Sequence, residues 1–180
     1  MTARRRFVLV TGMAGAGLST TLKSLEDLGY EVLDNLPLFL IGALLRERES
    51  RDRPLAIGID SRTRDFTADS LLARLTELRA QPGVAVQLIY VDADDDVLMR
   101  RFMETRRRHP LALDRPVIDG IHNERAILEP LKAAADVVID TSDLSIHDTR
   151  RIVGGHFGLE NKPALGVFVT SFSLSLTRMQ

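Results

Sequence analysis

Over residues 1–157, short apolar runs alternate with segments of helical periodicity. Phe7-Val8-Leu9-Val10-Thr11 is continuously apolar, the pattern of a strand buried on both faces. A glycine-rich turn spans Gly12 to Gly17. Ser19 to Leu28 then predicts a helix, with Leu22, Leu25 and Leu28 at helical spacing and Gly29 as its stop. Tyr30 to Leu33 predicts a second strand ending in Asp34-Asn35-Leu36-Pro37, and Leu38 to Arg48 a helix. Leu55 to Ile59 predicts a third strand ending in Asp60, and Ser70 to Arg79 a further helix. Pro82-Gly83 turns into the most apolar strand, Val84 to Val91, which ends in Asp92. A charged helix is expected over 95–108, one interrupted or bent around Pro130 over 117–134, a strand over Val137 to Asp140, and a last helix over 145–156.

Such alternation calls for an α/β fold, a parallel sheet wrapped by helices on both faces. Right-handed crossovers put all strand carboxyl ends on one edge. Thr11-Gly12, Asp34, Asp60, Asp92 and Asp140 stand at those ends, so that edge is the expected binding site. Residues 1–157 form one expected domain, with 158–180 a tail or the start of a further domain. Within the tail, the apolar run Ala164 to Val169 is compatible with an edge strand or with the first strand of that domain.

Composition narrows the chemistry. The 180-residue chain has no cysteine, which excludes a disulfide framework, a thiol nucleophile and Cys-ligated metal. With 24 basic and 25 acidic residues its net charge is −1, which argues against global electrostatic binding of nucleic acid. No run approaches the length of a membrane span, so a cytoplasmic protein with no membrane association is expected. Lysine occurs only at positions 23, 132 and 162, so arginine carries nearly all the positive charge, and its fork suits phosphate where it clusters.

The main candidate is Gly12-Met13-Ala14-Gly15-Ala16-Gly17-Leu18-Ser19, which follows a buried strand and opens a helix. Glycines let successive amides curl around a phosphate, and the helix start adds partial positive charge. Ser19 is placed to offer its hydroxyl to Mg²⁺, with Thr20 adjacent. Leu18 stands where such a loop uses lysine to reach the β- and γ-phosphates. Binding is therefore expected to outlast catalysis, because a lost transition-state donor costs about 10²–10³ in rate. Asp60 is the expected Mg²⁺-organising and catalytic carboxylate, with Arg62 and Arg64 beside it; Asp92 competes for the metal role. Arg100, Arg101, Arg106, Arg107 and Arg108 cluster before His109-Pro110; at least one of Arg101, Arg106 and Arg107 is expected to face phosphate, with Arg106 and Arg107 as the catalytic candidates. Arg101 and Arg108 would share one side of a helix that continued between them. The histidines lack metal-ligand spacing; His122 and His147 are expected to satisfy local groups.

Taken in order, Gly12–Ser19, Asp34-Asn35-Leu36-Pro37, Ile59-Asp60-Ser61-Arg62, Val91-Asp92-Ala93-Asp94, Thr105-Arg106-Arg107-Arg108-His109-Pro110-Leu111 and Asp140-Thr141-Ser142 resemble the RapZ/YvcJ family of P-loop nucleotide-binding proteins, over roughly residues 7–150. The resemblance implies an adenylate-kinase-like fold that binds ATP and GTP with weak NTPase activity. It places the ATP loop on Gly12, Met13, Ala14, Gly15, Ala16, Gly17, Leu18, Ser19 and Thr20, and a GTP segment on Asp60, Ser61, Arg62 and Thr63. In enteric members it also implies a regulatory RNA and an RNase as partners, served by a C-terminal domain. Three functions follow: a regulatory nucleotide-binding module of the RNase-adapter type, a small-molecule or nucleotide kinase, and an interaction protein with a degenerate loop. Self-association is left open.

Overall fold

The computed structural model describes residues 5–47 and 53–158. Five strands, β1 (Arg5–Gly12), β2 (Glu31–Asp34), β3 (Leu55–Gly58), β4 (Val84–Asp92) and β5 (Val137–Asp140), form one sheet in the order β2-β3-β1-β4-β5. Every pairing is parallel. Six helices connect and follow them: α1 (Leu18–Asp27), α2 (Leu38–Glu47), α3 (Ala68–Arg79), α4 (Asp95–Thr105), α5 (Val117–Ala134) and α6 (Ile146–Phe157). The expected α/β succession holds across the described residues, with α4 and α5 following one another between β4 and β5. The tail assignment, including Ala164 to Val169, lies outside the described residues.

β1 explains why the sheet needs cover on both sides. Val8, Leu9 and Val10 project alternately to opposite faces, yet none is more than 1% exposed. Helices α1 and α6 pack together on one layer, while α3 and α4 pack against α5 in the other. The Tyr30 hydroxyl donates to the Phe157 carbonyl at 3.2 Å and so locks the end of α6 beside β2. Local chemistry sets the helix starts. Thr67 accepts from the Ser70 amide ahead of α3, and Ser145 with Asp148 forms a reciprocal capping box at α6.

Two expectations change. The charged helix stops at Thr105 instead of reaching 108, because Arg106 takes a left-handed conformation with φ 52°. Arg101 and Arg108 therefore do not lie on one helix. Conversely, α5 runs as one unbroken helix through Pro130. The order of strands makes β1 the point where the chain turns from one half of the sheet to the other, with β3 and β4 on its two sides. A crevice at the carboxyl ends is the expected consequence.

Candidate functional site

The turn after β1 is built on close backbone approach. Gly12 has φ 149°, and a Cβ there would sit 2.0 Å from the Val91 carbonyl oxygen, so only glycine fits. The Met13 amide donates to that same carbonyl at 3.0 Å, and the Ala16 amide closes the turn on the Met13 carbonyl. Gly17, with φ 112°, precedes α1 without a side-chain cap, and no acid occupies the first helical turn. Among the described residues, the amides of Gly15, Gly17, Leu18, Ser19 and Thr20 donate to no protein acceptor. An uncapped helix start with clustered free amides is an anion seat.

These residues line a cavity of about 580 Å³ that holds Gly12 to Thr20 together with Asp60, Arg62, Arg101, Arg107 and Arg108. Thr141 and Leu144, from the connection after β5, and Ile146 and Thr149, from the first turn of α6, complete its lining. Ser19 is exposed at the second position of α1, while Leu18 is half-buried, packed against the core where a cationic side chain was expected from the pattern.

The four arginines differ in freedom. Arg62 clasps Asp60: its Nε donates to Oδ2 at 3.0 Å and its own amide to Oδ1 at 2.8 Å. That hydrogen bonding raises the Arg62 pKa above its ordinary value, against the opposing effect of burial. Arg101 is tied to backbone. Its Nη1 donates to the Gly15 carbonyl and the Thr141 hydroxyl, and its Nη2 to the Thr141 carbonyl at 2.8 Å. Burial, and then the neighbouring Arg100 guanidinium, lowers its pKa. Thr141 donates in turn to the Ala16 carbonyl at 2.6 Å, which fixes the phosphate loop from behind. Arg107 and Arg108 are exposed and make no ion pair or hydrogen bond among the described residues. Arg106, expected beside Arg107, does not line the cavity, and Arg64 is turned to an exposed contact with Asp65 at 3.9 Å.

Asp92 is spoken for. Its Oδ1 accepts from Arg125 at 2.9 Å and the Ala93 amide at 2.8 Å, and its Oδ2 accepts from Lys132 at 2.8 Å. Burial alone would raise its pKa, but Lys132 and Arg125 outweigh that and hold the carboxyl below the usual range. Asp92 therefore serves as a structural anchor between β4 and α5, which corrects its reading as a competing metal ligand. His122 meets Asp95 at 3.2 Å, in keeping with a local role.

The group that the pattern reading missed is Glu124. It is fully buried on α5 and receives three donors: the Ala14 amide of the phosphate loop at 2.9 Å, the Ser61 hydroxyl at 2.7 Å, and His109 Nε2 at 3.1 Å. A lone glutamate on an amphipathic helix carries no sequence signal for this. The only hint was Gly120 one turn earlier, where a Cβ would lie 2.5 Å from His109 Nδ1.

With this geometry in place, the comparisons are specific. The RapZ-like N-terminal domain model matches residues 6–161. A nucleotide-binding protein of Rhodospirillum centenum is 62% identical over 170 residues, covering 94% of this chain and 51% of that protein. A nucleotide-binding protein of Paramagnetospirillum magneticum is 54% identical over 168 residues, covering 93% of this chain and 55% of that protein. This chain thus spans about half the length of the curated relatives it matches. Among solved structures, a shikimate kinase from Acinetobacter baumannii aligns with a TM-score of 0.59 at 17% identity, covering 89% of this chain and 97% of that one. A sugar kinase from Janibacter aligns with a TM-score of 0.57 at 16% identity, covering 83% and 92%. These two show a shared P-loop kinase-like fold.

Proposed function

The chain belongs to the RapZ-like N-terminal domain family, and from that premise we propose that it is a cytoplasmic, regulatory nucleotide-binding module that takes ATP or GTP in the cavity behind Gly12–Thr20. The observation that carries this reading is the uncapped start of α1, whose free amides open onto a cavity that also gathers Arg62, Arg101, Arg107 and Arg108. Four guanidinium groups and a helix start make a seat for polyphosphate. The names of the relatives, which are called nucleotide-binding proteins, support the same choice.

The donor set suits a nucleotide-bound Mg²⁺. The exposed Ser19 hydroxyl and the Asp60 carboxylate line one cavity, both hard oxygen donors of the kind Mg²⁺ takes. Ser19 and Asp60 would hold the ion, which would neutralise charge on the β- and γ-phosphates. Arg62 hydrogen-bonds the same Asp60 carboxylate, so one cavity wall carries both the carboxylate that would hold the ion and a guanidinium. In the segment that the resemblance gives to GTP, the Ser61 hydroxyl donates to Glu124 at 2.7 Å and the Thr63 hydroxyl accepts from the Asp60 amide at 3.1 Å. Among the described residues, Arg107 and Arg108 are the unpaired cations that line the cavity and would act on a bound phosphate, and Arg106 does not line it.

Hydrolysis is slow in this reading, because Leu18 supplies no charge to the transition state. That favours a regulatory module over a metabolic kinase. RNA and an RNase are proposed as partners only of the longer relatives' whole architecture. Titration with fluorescent ATP and GTP analogues in the presence of Mg²⁺ tests the proposal. Saturable binding to at least one is the expected result, and absence of binding to both overturns it.

A further inference from the structure

The geometry points to Glu124 as a positioning residue that fixes the arginine arm Arg106–Pro110 against the phosphate loop, acting through His109. This rests on the reading that the loop receives a nucleotide phosphate, and it adds what holds the free arginines in place.

The case begins with cost. A buried carboxylate survives in a fold only where its oxygens are satisfied. Glu124 is 0% exposed, and its three donors come from three separate segments: the loop after β1, the loop after β3 and the arm between α4 and α5. The His109 tautomer follows from its second contact. The Leu111 amide donates to Nδ1 at 3.1 Å, which leaves the proton on Nε2 and aims it at Glu124. His109 is itself 0% exposed, so the arm is pinned at this ring while Arg107 and Arg108, directly before it, reach solvent and the cavity.

Packing supports the same link. Gly120, on the face of α5 that carries Glu124 one turn later, leaves room for the imidazole. The ring lies 5.0 Å from that of Phe102, and Phe102 in turn closes on Gly15, where a Cβ would be 3.2 Å from its ring. Loop, helix α4, arm and helix α5 thus meet around one carboxylate. A shift of Glu124 moves the anion seat and the free cations together.

Hydrogen exchange on the nucleotide-free chain tests the link without any ligand. Glu124→Ala is expected to speed exchange about tenfold or more at the Arg106, Leu111 and Ala112 amides, and His109→Ala to do the same at the Met13, Ala14 and Ala16 amides of the 12–19 loop, to which His109 makes no hydrogen bond. Glu124→Gln restores most protection, since its oxygen can face Ala14 and His109 while its amide donates to the Ser61 hydroxyl. Unchanged exchange in 12–19 for His109→Ala overturns the inference. If Glu124→Ala does not fold, Glu124→Asp takes its place. Binding of a fluorescent ATP analogue supplies the second arm. The exposed pair Arg107→Ala/Arg108→Ala is expected to weaken binding about tenfold, and adding Glu124→Ala to it costs less than the product of the separate losses. Losses that multiply overturn the coupling. Wild-type chain that binds no nucleotide but keeps the exchange linkage overturns the nucleotide reading alone.

Discussion

Replacing Leu18 by lysine is the most informative single change, because the loop around it is already formed. The substitution places an ammonium at the first residue of α1, beside amides that donate to no protein acceptor among the described residues. A hydrogen bond to a charged group contributes about 1.5–3 kcal/mol, which tightens nucleotide binding about ten- to a hundredfold. Two costs oppose it. Leu18 is half-buried against the core, so roughly half of the 1.5–3 kcal/mol of a buried leucine, about 1 kcal/mol, is lost from stability. Repulsion from Arg62, Arg101, Arg107 and Arg108 adds to that in the free protein and is relieved by a bound polyphosphate. The free variant should therefore melt about 2–4 °C lower, and the nucleotide-saturated variant should regain more than that. Competition titration with ATP and GTP analogues, alongside thermal melts with and without nucleotide, measures both effects. Leu18→Met, which keeps the packing, is the control. A folded Leu18→Lys variant with unchanged affinity would refute the assignment of the anion seat to the start of α1.

Three further outcomes follow from the same geometry. Gly12→Ala should destabilise the fold by more than about 2 kcal/mol, since its Cβ meets the Val91 carbonyl at 2.0 Å, and denaturant unfolding would register the loss. Asp92→Asn should cost about 1–3 kcal/mol at neutral pH by leaving Arg125 and Lys132 half-satisfied. Because the folded-state pKa of Asp92 lies below its ordinary value of 3.8, its contribution is complete above that value and lost as pH falls through the depressed one; acid titration of wild type should show a loss that the variant lacks. Arg101→Lys should fail to replace arginine, because an ammonium cannot span the Gly15 carbonyl, the Thr141 hydroxyl and the Thr141 carbonyl; a drop in both melting temperature and nucleotide affinity checks this.

Much of the architecture was legible because burial on both faces leaves a plain mark: β1 and β4 are runs of apolar residues, and polar residues resume where each strand leaves the sheet. The phosphate loop was legible because positive φ and backbone contact demand glycine at fixed places, as at Gly12 and Gly17. What stayed hidden depends on contacts distant in sequence. Asp92 reads as a strand-end carboxylate until Arg125 and Lys132 arrive from α5, and nothing local distinguishes it from Asp60. Arg101 and Arg108 were related by helical spacing, but the left-handed turn that ends the helix early falls on Arg106 and not on the glycine or asparagine such a cap favours, so nothing local marked it. Glu124 was the least legible, since its burial depends on a histidine 15 residues upstream and an amide 110 residues upstream.

Helix α5 also sets a rule for chain-length variation. From one continuous helix, Gly120 and Glu124 meet His109, Glu124 also takes the Ala14 amide, and Arg125 and Lys132 meet Asp92. Inserting or deleting one residue inside it would rotate everything downstream by about 100°, so the imidazole cleft, the carboxylate hub and the two cations on Asp92 could not all stay in register. Natural relatives should therefore vary in length in their surface connections and keep the count between 120 and 132 constant.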